Sequence, residues 1–139
     1  MAKVQLPEGY TPSADEEFMN DFQKEYFRQK LVAWREELLR DSEETLNNLK
    51  EGGMTVPDIS DRASAEADKA LELRTRDRMR KVISKIDAAL GRIEDGTYGY
   101  CEETGEPISL ERLMARPIAT LTIEAQERHE RMEKTYSDD

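Results

Sequence analysis

One cysteine in 139 residues leaves no partner for an intramolecular disulfide, so oxidation cannot staple this fold. Positive charge is also in deficit. The net charge is −10 and the pI about 4.7, so a nucleic-acid backbone or an anionic membrane surface would repel the chain as a main partner. No apolar run approaches the ~18 residues of a membrane span. The opening MAKVQLPEGYTPSADEE lacks the apolar core of a signal peptide. A cytoplasmic protein with no direct DNA binding and no membrane is expected. Aromatics are scarce, with three Phe and one Trp against 37% charged residues. That composition excludes a large globular core and leaves either long solvated helices or disorder.

Periodicity decides for helices. Residues 1–14 carry Pro7, Gly9 and Pro12 without apolar rhythm and read as a mobile N-terminal arm, with a helix start near Ser13 or Asp15. Neither Pro nor Gly follows until Gly52, and Phe18, Phe22, Phe27, Leu31, Trp34, Leu38, Thr45 and Leu49 step mostly by three and four. EGGMTVPDISD, residues 51–61, is a loop by its turn chemistry. Ser60 or Asp61 then caps a second helix, in which Met79, Val82, Ile86, Ala89 and Ile93 keep the rhythm to Asp95. Two helices of ~35 residues with narrow seams and a short connection pack antiparallel, each roughly 50 Å long. Ala63, Ala67 and Ala70, set against Glu43, Glu44 and Asn47, make the distal end thin.

After Asp95, turn residues Gly96, Gly99, Gly105 and Pro107 lead to a short helix from Ser109 that stops before Pro117, and a last helix covers 122–135 with Thr122 as its cap. The expected fold is mainly α: a long antiparallel coiled-coil hairpin over 15–95 with its tip loop at 51–61, then a small globular base and C-terminal helix over 96–139.

Three constellations carry chemistry. At the tip, PDISDRAS sets Asp58 and Asp61 around a helix start, where one acid caps the helix and the pair can approach a cation or a basic pocket. On the second helix, RTRDRMRKVISK places Arg78, Lys81 and Lys85 on one face, able to hold a polyphosphate or, more plainly, to be neutralised by Glu36, Glu37 or Glu72. In the base, the spacing C-x2-T-x17-T-x2-A puts Cys101, Thr104, Thr122 and Ala125 where a four-cysteine zinc site has its ligands. One thiolate, even with His129 nearby, does not make a structural zinc site, so no metal is expected. Cys101 lacks the partners of a nucleophile and reads as a packing residue.

PDISDRAS, LELRTRDRMRKVISKI, YGYC and ISLERLMARP together resemble the DksA family of bacterial RNA polymerase-binding transcription factors, over most of residues 20–126. The resemblance implies a non-enzymatic regulator whose coiled coil enters the secondary channel of RNA polymerase. It lowers ribosomal promoter activity and raises some biosynthetic promoters together with guanosine tetraphosphate, without binding promoter DNA. It implies tip roles for Asp58, Asp61 and Ala63, and nucleotide contacts for Arg78, Lys81 and Lys85. Typical members have four cysteines where this chain keeps Cys101 alone, so it resembles the zinc-independent paralogues. Gln126 stands where the family has a further basic residue. A monomer is expected. The alternatives from other classes are a transcript-cleavage factor, whose tip carboxylates would recruit a metal to the polymerase, and a coiled-coil adaptor without a polymerase role.

A structural zinc contributes on the order of 10 kcal/mol and a threonine cap about 1. A metal-free base therefore needs packing among Tyr98, Tyr100, Ile108, Leu110, Leu113, Met114, Ile118, Leu121 and Ile123, each worth roughly 1.5–3 kcal/mol when buried.

Overall fold

The computed structural model describes the backbone of residues 4–52 and 59–137, and side chains outside 48–62 up to residue 135. Four helices follow in order: α1 (Asp21–Gly52), α2 (Ile59–Asp95), α3 (Leu110–Ala115) and α4 (Ile123–Ser137). Among the described residues no helix is long and apolar enough to cross a membrane. The chain divides into two compact units, one formed by the N-terminal part up to Leu31 together with Ala88 onward, the other by Val32–Asp87.

α1 begins later than Ser13 or Asp15, and local hydrogen bonding explains the difference. Ser13 and Glu16 make one half of a capping box: the Glu16 carboxylate accepts from Ser13 N–H at 3.0 Å, while the Ser13 hydroxyl accepts from Asp15 N–H at 3.2 Å. That turn ends at Met19, whose φ of 52° lies in the left-handed region. A second cap wins: Asn20 Oδ1 accepts from Gln23 N–H and Gln23 Oε1 accepts from Met19 N–H, both at 2.8 Å. The N-terminal segment also makes side-chain contacts with α1 and the turn before it. The Tyr10 hydroxyl donates to Glu16 at 2.8 Å, and its ring lies 5.9 Å from Phe22 and 6.3 Å from Tyr26.

This late start moves two aromatics off the expected seam. Phe18 precedes α1 and meets Tyr100 edge-on at 5.4 Å, while Phe22 is 40% exposed. The seam in this first unit consists of Gln23, Phe27 and Leu31 from α1, all fully buried, with Ala89 and Ile93 from α2. Gly99, at φ 91°, admits Met19 and Phe18 so closely that a Cβ would meet their side chains at 3.1–3.2 Å.

The Val32–Asp87 unit is a helix pair with a slender core. Ile86 is its one fully buried large side chain among the described residues, Trp34, Leu38, Met79, Val82 and Ile83 are half-buried, and Arg35 Nε reaches Asp87 at 2.6 Å across the pair. Leu71 and Leu73 remain 54% and 47% exposed. Ala63, Ala67 and Ala70 are exposed rather than facing α1. The half-buried positions are Ala65, Lys69 and Glu72, with Thr45 and Leu46 on α1. The distal helices are thus thin in apolar burial, with only Ala65, Thr45 and Leu46 to set beside the stems of Lys69 and Glu72.

α2 ends in a Schellman turn: Gly96 takes φ 85°, and the N–H groups of Thr97 and Tyr98 both donate to Arg92 C=O. α3 starts on Ser109, whose hydroxyl accepts from Arg112 N–H, and stops before Pro117. Lys30 Nζ donates to Met114 C=O at 2.8 Å, supplying a cation to the open end of α3.

Candidate functional site

The three constellations fall on different ground in the fold. Asp58 lies outside the described residues. α2 begins at Ile59, so Asp61 occupies its first turn rather than its cap, and the side chain of Asp61 is likewise outside those described. Ala63, half a turn on, is exposed.

Arg78, Lys81 and Lys85 are all exposed on α2, and their spacing of three and four puts them on one face. The ion pairs among the described residues are Lys24–Asp21, Arg28–Glu25, Arg35–Asp87 and His129–Glu103. None of these involves the basic triplet. Gln126 is half-buried and donates to Glu130 at 3.2 Å along its own helix.

The knuckle is built by the segment after α2. Tyr100 bridges Pro107 in antiparallel sense, Cys101 N–H donates to Glu106 C=O at 2.8 Å, and Gly105 N–H returns to Cys101 C=O at 2.9 Å. This tight loop turns the backbone back on the Cys101 sulfur. Burial pushes the thiol up, but hydrogen bonds from the Thr104 hydroxyl and from the N–H groups of Thr122, Thr104 and Glu103 outweigh it and hold the thiol at about 7. Cys101 is 3% exposed. The Thr122 hydroxyl lies 3.9 Å from the sulfur and accepts from Ala125 N–H at 3.3 Å, while Thr122 C=O accepts from Gln126 N–H at 2.9 Å. Thr122 is therefore the N-cap of α4, and the fold brings Cys101, Thr104, Thr122 and Ala125 together.

Around them, Tyr98, Ile108 and Leu113 are buried, joined by Ala119 and Ala125. Tyr100 and Ile123 are 38% and 49% exposed, so they add less to the base than their apolar character suggests. Pairings between distant positions were invisible to local spacing: Glu103 with His129 at 3.1 Å, and the Tyr98 hydroxyl with Pro117 C=O at 2.8 Å.

A pH effect follows from the thiol. Its folded ionisation near 7 lies below the ordinary 9.0, so its stabilisation is present above about pH 9 and is lost as pH falls through 7. Relative to Cys101→Ala, the wild type should gain on the order of 2 kcal/mol between pH 6 and pH 9.5 in urea unfolding. A pH-independent difference between the two proteins contradicts the thiolate cradle.

These features define a class: a helical hairpin factor joined to a finger-like knuckle. Residues 23–93 match the N-terminal domain of DnaK suppressor protein DksA, and residues 96–131 match the prokaryotic dksA/traR C4-type zinc finger. The chain belongs to the DksA family. It is 65% identical over 130 residues to the RNA polymerase-binding transcription factor DksA of Caulobacter vibrioides, covering 94% of this chain and 92% of that protein. Against the Escherichia coli K12 protein of the same name, identity is 42% over 127 residues, covering 91% and 84%. The solved structure of transcription factor DksA2 from Pseudomonas aeruginosa superposes with a TM-score of 0.80 at 41% identity, covering 88% of this chain and 93% of that one.

The finger family implies zinc, but the donors here do not fit it. Cys101 offers one thiolate, the Thr122 hydroxyl is engaged as a helix cap, and Ala125 has no donor atom. Among the described residues no three His, Cys, Asp or Glu side chains cluster as a metal site. In place of ligand bonds, the sulfur is satisfied by N–H and O–H donors.

Proposed function

We propose that this protein regulates transcription initiation by binding RNA polymerase through the secondary channel. It carries the tip acids Asp58 and Asp61, with Ala63, to the active-site region. The observation that carries this reading is 65% identity across 94% of the chain to a protein named as an RNA polymerase-binding transcription factor. The hairpin of α1 and α2 is the inserted part, within the 15–95 segment, and 96–139 is the base. No reaction is catalysed by the chain itself. Its relatives are named as transcription factors. The base folds without zinc, and a monomer is the working form.

Arg78, Lys81 and Lys85 hold guanosine tetraphosphate against the polymerase. Three exposed cations on one helix face suit a polyphosphate, because each contact replaces a hydrated charge by a charge-assisted hydrogen bond. Purified transcription from a ribosomal promoter tests both parts. Output should fall on adding the protein and fall further with the nucleotide. The Arg78→Ala, Lys81→Ala, Lys85→Ala triple variant should keep the first effect and lose the second. Efficient transcript cleavage on arrested complexes, with no effect on promoter output, overturns this in favour of a cleavage factor.

A further inference from the structure

The segment from Tyr10 to Asn20 is not helical, yet within the first unit it is tied both to α1 and to the knuckle. Its centre is a buried amide. Gln23 is fully buried; its Oε1 accepts from Met19 N–H at 2.8 Å, and its Nε2 donates to Ser13 C=O at 3.2 Å and to Glu16 at 3.3 Å. Both ends of that side chain are satisfied by this segment, so lifting the segment strands a polar group inside the protein. Glu16 in turn accepts from the Tyr10 hydroxyl at 2.8 Å, and the Tyr10 ring lies near Phe22 and Tyr26.

The other end of the segment meets the knuckle. Met19 is buried at φ 52°, a left-handed conformation that a methionine keeps only where its surroundings impose it. Its side chain and that of Phe18 close on Gly99, where a Cβ would stand 3.1 Å from Met19 Cγ and 3.2 Å from Phe18 Cζ. Phe18 also meets Tyr100 edge-on. Gly99 and Tyr100 lead directly into Cys101.

The element under this contact is weak by itself. The hairpin 99–108 is closed by Ile108 N–H on Gly99 C=O at 2.7 Å, Cys101 N–H on Glu106 C=O at 2.8 Å and the bridge of Tyr100 with Pro107. A two-stranded turn of this length does not hold itself together in water. In a four-cysteine finger, metal–ligand bonds hold such a loop from inside.

We propose that residues 10–20 are a latch, closed in this structure, that holds the hairpin 99–108 from outside and sets how often the knuckle opens around Cys101. The Gln23 amide and the Tyr10–Glu16 pair keep the latch shut, and Phe18 and Met19 bear on the hairpin. When it lifts, the hairpin loosens and the thiol meets solvent while α1 and α2 stay paired. Such an opening is local, distinct from global unfolding, and does not depend on the polymerase reading.

Labelling of Cys101 in the folded full-length protein by dithiobis(nitrobenzoate) tests this, with amide hydrogen exchange read on the same samples. Met19→Gly removes the side chain that bears on Gly99 and relaxes the left-handed backbone. Tyr10→Ala removes the ring from Phe22 and Tyr26 and the hydroxyl from Glu16, all outside the knuckle. Without urea, Cys101 should label at least about tenfold faster than wild type in Met19→Gly and at least about threefold faster in Tyr10→Ala. Exchange at the Phe27 and Leu31 amides of α1 should stay within about twofold of wild type. Unchanged labelling in either variant overturns the proposal. Equal acceleration at Cys101, Phe27 and Leu31 also overturns it, because the segment is then one part of a core that opens all at once. If Met19→Gly does not fold, as judged by circular dichroism, Tyr10→Ala decides the matter by the same two readouts.

Discussion

Asp61→Asn, alone or with Asp58→Asn, should abolish the repression of a ribosomal promoter while leaving affinity for core polymerase within about twofold. The expectation separates reach from action. α2 starts at Ile59, and Ala63 just beyond its first turn is exposed. An acid in that turn also complements the helix N-terminus, and replacing its charge costs about 0.3–1 kcal/mol there, too little to unfold a hairpin seamed by Trp34, Leu38, Val82 and Ile86. A carboxylate carried to a polymerase active site acts through its charge on cations and basic groups, and the isosteric amide removes that charge without changing shape. Asp61→Glu should restore part of the effect. If the Asn variants repress like wild type, the tip acids have no part in the action on polymerase, and the coiled-coil adaptor becomes the better description.

Tyr98→Ala should destabilise the protein by about 3–5 kcal/mol in urea unfolding, enough to leave a substantial unfolded population at 37 °C. Tyr98 is 1% exposed, its ring lies 5.5 Å from that of Phe27, and its hydroxyl donates to Pro117 C=O at 2.8 Å. Burial raises its ionisation above the ordinary tyrosine value, against the opposing pull of Arg92. Truncation opens a large cavity and leaves the Pro117 carbonyl buried without its donor. Tyr98→Phe isolates the second part and should cost about 1–2 kcal/mol. A Tyr98→Ala loss below about 1 kcal/mol would mean that packing on this ring does not hold the base together.

The helices were legible because their signals are local. A three-four apolar rhythm with no Pro or Gly from 13 to 50 admits little but a helix, and Ser109, Pro117 and Thr122 punctuate the base where α3 and α4 begin and end. The start of α1 was not legible, because two caps compete within ten residues. Ser13 with Glu16 has the better-known pattern, while Asn20 with Gln23 has the geometry that propagates. The register of the distal seam is hidden for a related reason. Alanines recur so often from 63 to 70 that several faces satisfy the same pattern, and the half-buried positions fall at Ala65 and Lys69. Tyr100 and Ile123 read as core because apolar character does not say which side of a short loop or helix end faces out.

The knuckle divides in the same way. The spacing of Cys101, Thr104, Thr122 and Ala125 revealed the loop, and the capping role of Thr122 followed from its place before an amphipathic helix. The donors converging on the sulfur depend on the folded backbone of 103, 104 and 122, which no side-chain pattern records. Lys30 on the Met114 carbonyl, 84 residues away in sequence, belongs to the same class of contact.

The central claim is a DksA-family regulator whose base stands on packing and hydrogen bonds in place of zinc. Purified transcription from a ribosomal promoter, with protein prepared and assayed in a strong zinc chelator, tests it most directly. The account predicts repression equal to that of untreated protein, with an unchanged thermal melting temperature measured alongside. Loss of repression together with a lowered melting temperature, both restored by added zinc, would contradict it.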